Sequence, residues 1–312
     1  MSLDPRAQAV LTRKAESGVP PYYSLPVVQA REVYRRLSKL AGPPEPVAKI
    51  EHYIIPTSDS RISLRAYTPD NPPHHPLPSV MFFHGGGFVM GDVEMYDALC
   101  RTLANRTQAI VAAVEYRLAP EYPFPTAPED CYAATAWVAA HTTELGTDGT
   151  HVAVMGDSAG ATLATVVAMM ARDRHGPALI QQVLIYPMLD STLSSASMRE
   201  FAELGPLVFE DFVWFYQHYL PSQPEGIDPY ASPLHAPSLS DLPATLIVTG
   251  ECDPLRDEGE AYAQCLQTAS ASVSLKRYRG MIHGFFIMPT VLEEGRKAME
   301  EAAATLRYAF ST

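Results

Sequence analysis

The sequence predicts an α/β protein with a mostly parallel sheet that is covered by helices on both faces. From residue 80 onward, short apolar segments of strand length alternate with longer helical segments, an alternation typical of parallel sheets. The pentapeptide Gly156-Asp157-Ser158-Ala159-Gly160 lies between an apolar strand and an apolar helix, which marks a sharp strand-to-helix turn. The 312 residues, 47% of them hydrophobic, suffice for one large core or for a core with a small appended domain.

The N-terminal part of the chain is predicted to form helices followed by a pair of strands. Residues 1–45 have partly amphipathic helical patterns, and the clearest helix, at 30–40, is ended by Gly42-Pro43-Pro44. Residues 47–55 and 61–67 alternate in polarity as strands do, with a turn at 57–60 between them. The proline-rich loop at 69–78 is too rigid and polar for a regular element.

The rest of the chain supplies the alternating core. Further strands are predicted at 80–83, 110–114, 152–155, 179–185, 245–248 and 273–278. Helices are predicted at 95–106, 128–141, 159–172, 259–269 and 290–308.

Residues 190–225 interrupt this alternation. A serine-rich loop is followed there by Phe209, Phe212, Val213 and Tyr216 at the spacing of one helix face. The segment is too long for a plain connection, so we expect an insertion that folds over the sheet edge together with residues 1–45. Its aromatic side chains are interpreted either as core packing or as walls of an apolar pocket.

The charge balance argues against nucleic acid and anionic membranes as partners. The chain has 23 basic and 35 acidic side chains, scattered along the sequence, and a formal net charge of −12. No stretch reaches the roughly 18 to 20 apolar residues that span a bilayer, and residues 1–6 lack the pattern of an export signal. The four cysteines form no CxxC pair, so we expect free thiols and a cytoplasmic location.

The pentapeptide indicates a nucleophilic serine. A Gly-x-Ser-x-Gly turn between strand and helix holds the serine in a strained conformation at the helix N-terminus, where backbone N–H groups favour negative charge. A Cβ atom at Gly156 or Gly160 would collide with the neighbouring strand or helix. Because a serine hydroxyl is a weak nucleophile until a base removes its proton, Ser158 requires a histidine.

His283 is the candidate base among the ten histidines. It follows the strand predicted at 273–278, which places it beyond the carboxyl end of a late strand, where open α/β sheets hold their ligands. An orienting carboxylate is expected between the serine and the histidine in chain order, and Asp253 lies just past another predicted strand. Three nearby carboxylates compete with Asp253 for this role: Glu251, Asp257 and Glu258.

The segment His84-Gly85-Gly86-Gly87 directly follows the strand predicted at 80–83. Three successive glycines leave backbone N–H groups unshielded and let a ligand oxygen approach closely. At this position they are expected to form an oxyanion hole together with the N–H of Ala159, and which of the glycines donate stays open. A flexible turn is the alternative interpretation, and His84 is interpreted as a structural support of the loop.

Several motifs together resemble the bacterial hormone-sensitive-lipase-like esterases. They spread over residues 84–285, about two thirds of the chain, and their combination is highly specific. The motifs are HGGGF from His84 with Gly91, YRLAPE from Tyr116, PFP from Pro123, GDSAG from Gly156, DPLRDE from Asp253 and HGF from His283.

The resemblance implies an α/β-hydrolase fold with an eight-stranded, mostly parallel sheet and a helical cap. Residues 1–45 and 190–225 would form the cap, and residues 46–189 and 226–312 the hydrolase core. The implied catalytic triad is Ser158, Asp253 and His283. The implied oxyanion hole is formed by Gly85, Gly86, Gly87 and Ala159.

These residues predict a carboxylesterase that needs no cofactor or metal, since the sequence has no HExxH or clustered ligand spacing. Ser158 would form an acyl-enzyme with His283 as the base, and activity should fall at acidic pH because the imidazole must be neutral. Without a membrane-docking lid, short-to-medium acyl esters are the expected substrates. The candidate pocket walls are Tyr22, Tyr23, Met90, Tyr186, Leu207, Val208, Phe212, Phe285 and Ile287.

Two other functions stay open. One is a non-catalytic small-molecule-binding protein on the same scaffold, like the plant hormone receptors that this family resembles; those lack the catalytic histidine, whereas His283 is present. The other is an amidase or peptidase that uses the same triad. The resemblance also implies a homodimer that pairs through the last strand near residues 272–278, although the charges there could instead protect an edge strand against pairing.

Overall fold

The computed structural model describes residues 2–72, 76–221 and 227–312. Two parts of the predicted organisation lie outside these residues: positions 73–75 of the proline-rich loop and positions 222–225 at the end of the predicted insertion. The fold is built around one sheet whose carboxyl-terminal edge carries the loops that hold the candidate site.

The predicted mostly parallel, eight-stranded sheet is confirmed. Its order is β1-β2-β4-β3-β5-β6-β7-β8, with β2 antiparallel to both neighbours and every later pairing parallel. The strands are β1 (Lys49–Pro56), β2 (Arg61–Thr68), β3 (Leu77–Phe83), β4 (Ile110–Glu115), β5 (Thr147–Asp157), β6 (Gln181–Ile185), β7 (Ala244–Cys252) and β8 (Val273–Ile282).

One strand begins earlier than its sequence suggested. The proline-rich loop was predicted to extend to residue 78. This boundary is wrong, because Leu77 and Pro78 already belong to β3 and are buried. A proline removes one backbone donor from a sheet, so it is tolerated where pairing is irregular. The pairing of β3 with β5 shifts register between Leu77 and Ser79, at the position of Pro78.

The helices cover the sheet and extend over its carboxyl edge. They are α1 (Pro5–Glu16), α2 (Val27–Arg35), α3 (Asp97–Thr107), α4 (Thr126–Ala140), α5 (Thr142–Leu145), α6 (Ala159–Asp173), α7 (Ala196–Phe201), α8 (Phe209–Tyr219), α9 (Arg256–Thr268) and α10 (Glu293–Ala309). The helix predicted at 30–40 is α2 followed by a 3₁₀ turn, Arg36–Leu40. Within the described residues, no helix has the length and apolar character needed to cross a membrane.

The most buried helix is α6, which follows the pentapeptide. It packs against β3, β5 and β6 of the sheet and against the neighbouring helix α4. Residues 159–171 of this helix are all buried, which explains why its sequence is apolar around its full circumference. All four cysteines are free thiols, as predicted, and only Cys265 is exposed.

Candidate active site

The turn between β5 and α6 holds Ser158 in a strained conformation. Its φ of 54° and ψ of −122° lie where residues with a side chain rarely occur, at a cost on the order of 1–3 kcal/mol. Close packing maintains this turn, because a Cβ on Gly156 would lie 2.7 Å from the carbonyl oxygen of Phe83 and one on Gly160 would lie 2.6 Å from that of His84. The elbow therefore depends on both glycines, as the sequence predicted.

Three side chains from three strand ends meet beside this turn. Ser158 follows β5, Asp253 follows β7 and His283 follows β8. The Ser158 hydroxyl lies 3.1 Å from His283 Nε2, and His283 Nδ1 lies 2.9 Å from Asp253 Oδ2. Since a carboxylate only accepts, Nδ1–H donates to Asp253, which leaves Nε2 as the acceptor for the serine proton. All three residues are buried.

The carboxylates that competed with Asp253 have other partners. Glu251 accepts the N–H of Gly280 at 2.8 Å. Asp257 accepts the N–H of Ser197 at 2.8 Å. Glu258 accepts two backbone N–H groups of the loop after β6, at 2.9 and 2.6 Å, and burial raises its pKa. These carboxylates stabilise loops, and Asp253 is the one that contacts the histidine.

The glycine loop after β3 faces the serine, but its first glycine has another partner. Gly85 N–H donates to Asp157 Oδ1 at 2.9 Å, so the predicted contribution of Gly85 to the oxyanion hole is wrong as far as its N–H is concerned. In the part of the chain that the structure describes, the N–H groups of Gly86, Gly87 and Ala159 have no hydrogen-bond acceptor. These three donors are available to a ligand.

Asp157 connects the serine turn with the glycine loop. Besides Gly85 N–H, its carboxylate accepts the hydroxyls of Tyr96 at 3.2 Å and Tyr186 at 3.5 Å. Burial raises the pKa of Asp157 to about 6, and the hydrogen bonds from Gly85 and the tyrosines oppose this shift. Sequence reasoning missed this role, although Asp157 stands inside the pentapeptide and directly before the nucleophile.

His84 supports the glycine loop from behind. Its ring stacks on Tyr116 with centroids 4.3 Å apart, and Nδ1 donates to the carbonyl of Gly85 at 2.8 Å. The Tyr116 hydroxyl donates to the His84 carbonyl at 2.7 Å. Burial lowers the pKa of His84, which favours the neutral ring. These contacts agree with its interpretation as a structural support.

A mostly apolar cavity of about 320 Å³ opens above Ser158 and His283. Five of the predicted wall residues line it: Tyr22, Met90, Leu207, Phe212 and Ile287. Both interpretations of the aromatic segment thus hold in part, because Phe212 and Phe215 of α8 line the cavity while Tyr216 is buried in the core without lining it.

The other predicted wall residues lie elsewhere. Tyr186 is buried behind the histidine, with ring centroids 4.6 Å apart, and contacts Asp157. Phe285 is fully buried against Tyr186, at 5.7 Å between centroids. Val208 precedes α8 and donates its N–H to Asp211, and Tyr23 is 44% exposed. None of these four lines the described cavity, so those predictions are wrong.

Several cavity walls come from segments that carried no motif. The missed apolar walls are Val10, Val19, Val33, Leu37, Leu40, Met188, Met288 and Val291, and the missed basic ones are Arg13, Lys14 and Arg36. The spacing of Val33, Leu37 and Leu40 is that of a single helix face, a signal that the sequence contained. This spacing indicated an apolar helix face but did not indicate that the face covers a cavity.

The N-terminal segment and the segment around α8 contact each other over the cavity. Lys14 of α1 donates to the carbonyl of Pro206, and the N–H of Tyr23 donates to Asp211 Oδ1 at 2.9 Å.

Among residues 2–72, 76–221 and 227–312, no three His, Cys, Asp or Glu side chains are grouped to hold a metal ion.

A strained serine turn at the carboxyl edge of a mostly parallel sheet, with a histidine and an aspartate in line, defines a serine hydrolase of the α/β class. The family model that matches, described as an alpha/beta hydrolase fold, covers residues 80–287. The chain belongs to this family, in its hormone-sensitive-lipase-like group of carboxylesterases, and is a serine hydrolase that acts on carboxylic ester bonds.

Relatives and solved structures agree with this assignment. The carboxylic ester hydrolase LipN of Mycobacterium tuberculosis is 38% identical over 291 residues, which cover 91% of this chain and 77% of LipN. The ethyl acetate hydrolase of Pseudomonas putida is 34% identical over 308 residues, 96% of each chain. A hyperthermophilic esterase of the archaeon Pyrobaculum calidifontis has a similar structure, with a TM-score of 0.93, 41% identity and 100% of both chains covered.

Proposed function

We propose that this carboxylesterase hydrolyses short-to-medium-chain acyl esters through an acyl-enzyme, with Ser158, His283 and Asp253 as its catalytic triad. The observation that carries the proposal is the continuous line of hydrogen bonds, 3.1 Å from Ser158 Oγ to His283 Nε2 and 2.9 Å from His283 Nδ1 to Asp253. This is the arrangement in which an imidazole can accept the serine proton while a carboxylate orients it.

In the first half of the reaction, Ser158 Oγ attacks the ester carbonyl carbon while its proton moves to His283 Nε2. Asp253 stabilises the imidazolium that forms, because its carboxylate accepts Nδ1–H. The N–H groups of Gly86, Gly87 and Ala159 receive the developing oxyanion. Loss of one such donor typically costs about 3 kcal/mol of transition-state stabilisation.

The attack gives a tetrahedral intermediate. This intermediate collapses when its bond to the leaving alkoxide breaks and the alkoxide takes the proton from His283 Nε2, which leaves the acyl group on Ser158. A water molecule then attacks the acyl carbonyl while Nε2 removes one of its protons. The second collapse releases the carboxylic acid and returns the proton to Ser158 Oγ.

The cavity supports a limited acyl length. The cavity of about 320 Å³ has mostly apolar walls, which suit the hydrocarbon part of a short-to-medium acyl chain. Its roof comes from α1, α2, the 3₁₀ turn at Arg36–Leu40 and residues 206–215. We therefore propose residues 1–45 and 190–225 as a helical cap on the core formed by residues 46–189 and 226–312.

The test is turnover of 4-nitrophenyl acetate, butyrate, octanoate and palmitate by the purified enzyme and by Ser158→Ala. We expect butyrate or octanoate to be preferred and Ser158→Ala to lose nearly all activity. Ser79→Ala is the matched control, since Ser79 is also buried but lies at the start of β3, away from the site. Activity retained by Ser158→Ala would reject the triad, and a palmitate optimum would reject the acyl length.

The proposal includes a homodimer through β8. This strand lies at the end of the sheet order, and its Leu275 is 41% exposed, which supports pairing of residues 273–278 with a second copy. Light scattering that reports a monomer at micromolar concentration would contradict the dimer. The four free thiols support a cytoplasmic location as part of the same proposal.

A further inference from the structure

The cavity above Ser158 has basic side chains among its apolar walls. Arg13 and Lys14 of α1 and Arg36 of the turn after α2 line it. Asp157 is the only acid among the described residues that line the cavity, and it lies next to the nucleophile. This excess of positive charge is local, because the whole chain has a formal net charge of −12.

The two arginines are not neutralised by the protein. No carboxylate lies within 4.0 Å of the Arg13 or Arg36 guanidinium in the part of the chain that the structure describes. Neighbouring arginines of α2 show the opposite pattern, since Arg31 pairs with Glu121 at 2.6 Å and Arg35 with Asp92 at 2.5 Å. Arg13 and Arg36 thus differ from these two neighbours in having no carboxylate partner among the described residues.

The third basic group has a different function. Lys14 donates to the carbonyl of Pro206, and burial lowers its pKa, an effect that nearby Asp211 opposes. Its ammonium group therefore joins the two segments that roof the cavity. Arg13 and Arg36, in contrast, have no such acceptor among the described residues and are exposed.

The arginines and the reacting residues of the cavity differ in their exposure to solvent. Long basic side chains cover apolar surface with their methylene stems while their charged ends stay in water. The guanidinium groups of exposed Arg13 and Arg36 accordingly lie at the solvent side, whereas Ser158 and His283 are buried. The same cavity is also lined by apolar side chains such as Val33, Leu37 and Leu207.

We propose that the enzyme prefers esters that carry an anionic group, such as a carboxylate, at the end remote from the scissile bond, with Arg13 and Arg36 binding that group. The inference rests on the proposed function, because it assumes that the ester carbonyl is held at Ser158. An apolar spacer would occupy the walls between the two ends. A guanidinium matches a carboxylate with two parallel N–H donors, which makes it well suited to this recognition.

The test compares anionic esters with neutral partners of nearly the same size. One pair is 4-nitrophenyl hydrogen suberate and its methyl ester, which places the charge on the acyl side. The other is 4-(octanoyloxy)benzoate and its methyl ester, which places it on the leaving-group side. The measured quantity is the ratio of kcat/KM for the anion to that for its neutral partner, which cancels any general loss of active enzyme.

We expect the double variant Arg13→Gln/Arg36→Gln to lower this ratio about fivefold for one of the two pairs, since exposed charge pairs each contribute modestly. The drop should nearly vanish at roughly 0.5 M salt, where charges are screened over a few ångströms. Arg13→Lys/Arg36→Lys keeps the charge and should stay within about twofold of the wild type. Arg61→Gln, at an exposed arginine of β2 that does not line the cavity, is the control.

A ratio within about twofold of the wild type for both pairs in the glutamine variant would overturn the proposal. So would an equal drop in the lysine variant or in Arg61→Gln, because the effect would then not depend on charge at the cavity. Failure of the proposed function has a different signature, namely turnover of the neutral esters by Ser158→Ala or no turnover of them by the wild type.

Discussion

Replacement of Gly86 by alanine should remove most of the activity while leaving the sheet folded. Gly86 has a φ of +124°, a conformation that residues with a side chain hardly populate. A Cβ there would lie 2.6 Å from the carbonyl carbon of Met90 and 3.3 Å from the nitrogen of Gly91. Both atoms belong to the backbone, so neither can rotate away, and the glycine loop must move as a unit.

The size of the effect follows from what this loop donates. Backbone strain alone costs on the order of 1–3 kcal/mol, which a protein of this size can tolerate. The displacement also moves the N–H groups of Gly86 and Gly87 away from the oxyanion, and loss of one donor costs about 3 kcal/mol. At about 1.4 kcal/mol per factor of ten, kcat should fall about 10²-fold to 10³-fold.

The assay is kcat for 4-nitrophenyl butyrate together with a thermal unfolding curve. Gly146→Ala is the matched control, because Gly146 also has a positive φ, +74°, but a methyl group added there would meet no described atom within 4 Å. The control should lose about 1 kcal/mol of stability without a change in kcat. A kcat for Gly86→Ala within about threefold of the wild type would refute the assignment of this loop to the oxyanion hole.

Two further predictions concern the buried carboxylates. Asp253→Asn should lower kcat by about 10⁴-fold in steady-state turnover, because an amide no longer selects the required imidazole tautomer. Glu251→Gln, the control, should change kcat less than about tenfold. Equal losses in the two variants would contradict the choice of Asp253. Burial raises the pKa of Asp157 to about 6, so the folded state holds this proton more tightly than the unfolded state and loses stability as pH rises from about 4 to about 6. Urea unfolding at several pH values should show the stability of the wild type relative to Asp157→Asn falling by about 3 kcal/mol over this interval and staying constant above it; a difference independent of pH would contradict the shift.

The sequence predicted the parts of the site that depend on strand ends. Ser158, Asp253 and His283 each follow an apolar strand, and because parallel strands point the same way, their carboxyl ends share one edge. The same reasoning placed the glycine loop after β3. Local sequence patterns were sufficient for these predictions, because residues that follow parallel strands lie close together in space even when they are far apart along the chain.

The predictions of site residues that were wrong concern residues whose role depends on tertiary packing. The Gly85 N–H looked equivalent to its neighbours, but Asp157, 72 residues away, accepts it. Tyr186 follows β6 and was predicted to face the pocket, yet it packs behind His283. Helical spacing likewise revealed the apolar face of α2 without identifying the cavity that it covers. These outcomes depend on tertiary packing, which periodicity does not encode.

Asp157 connects the proposed nucleophile with the proposed oxyanion donors. Ser158 and Ala159 follow it directly, and its carboxylate holds Gly85, the residue before the free donors Gly86 and Gly87. From the other side, the carbonyls of Phe83 and His84 leave no room for a side chain at Gly160. The nucleophile and the N–H groups thus cannot move independently, so little reorganisation is needed when charge develops on the ester oxygen. This coupling explains why a strained serine and a buried carboxylate with a raised pKa persist side by side despite their cost in stability.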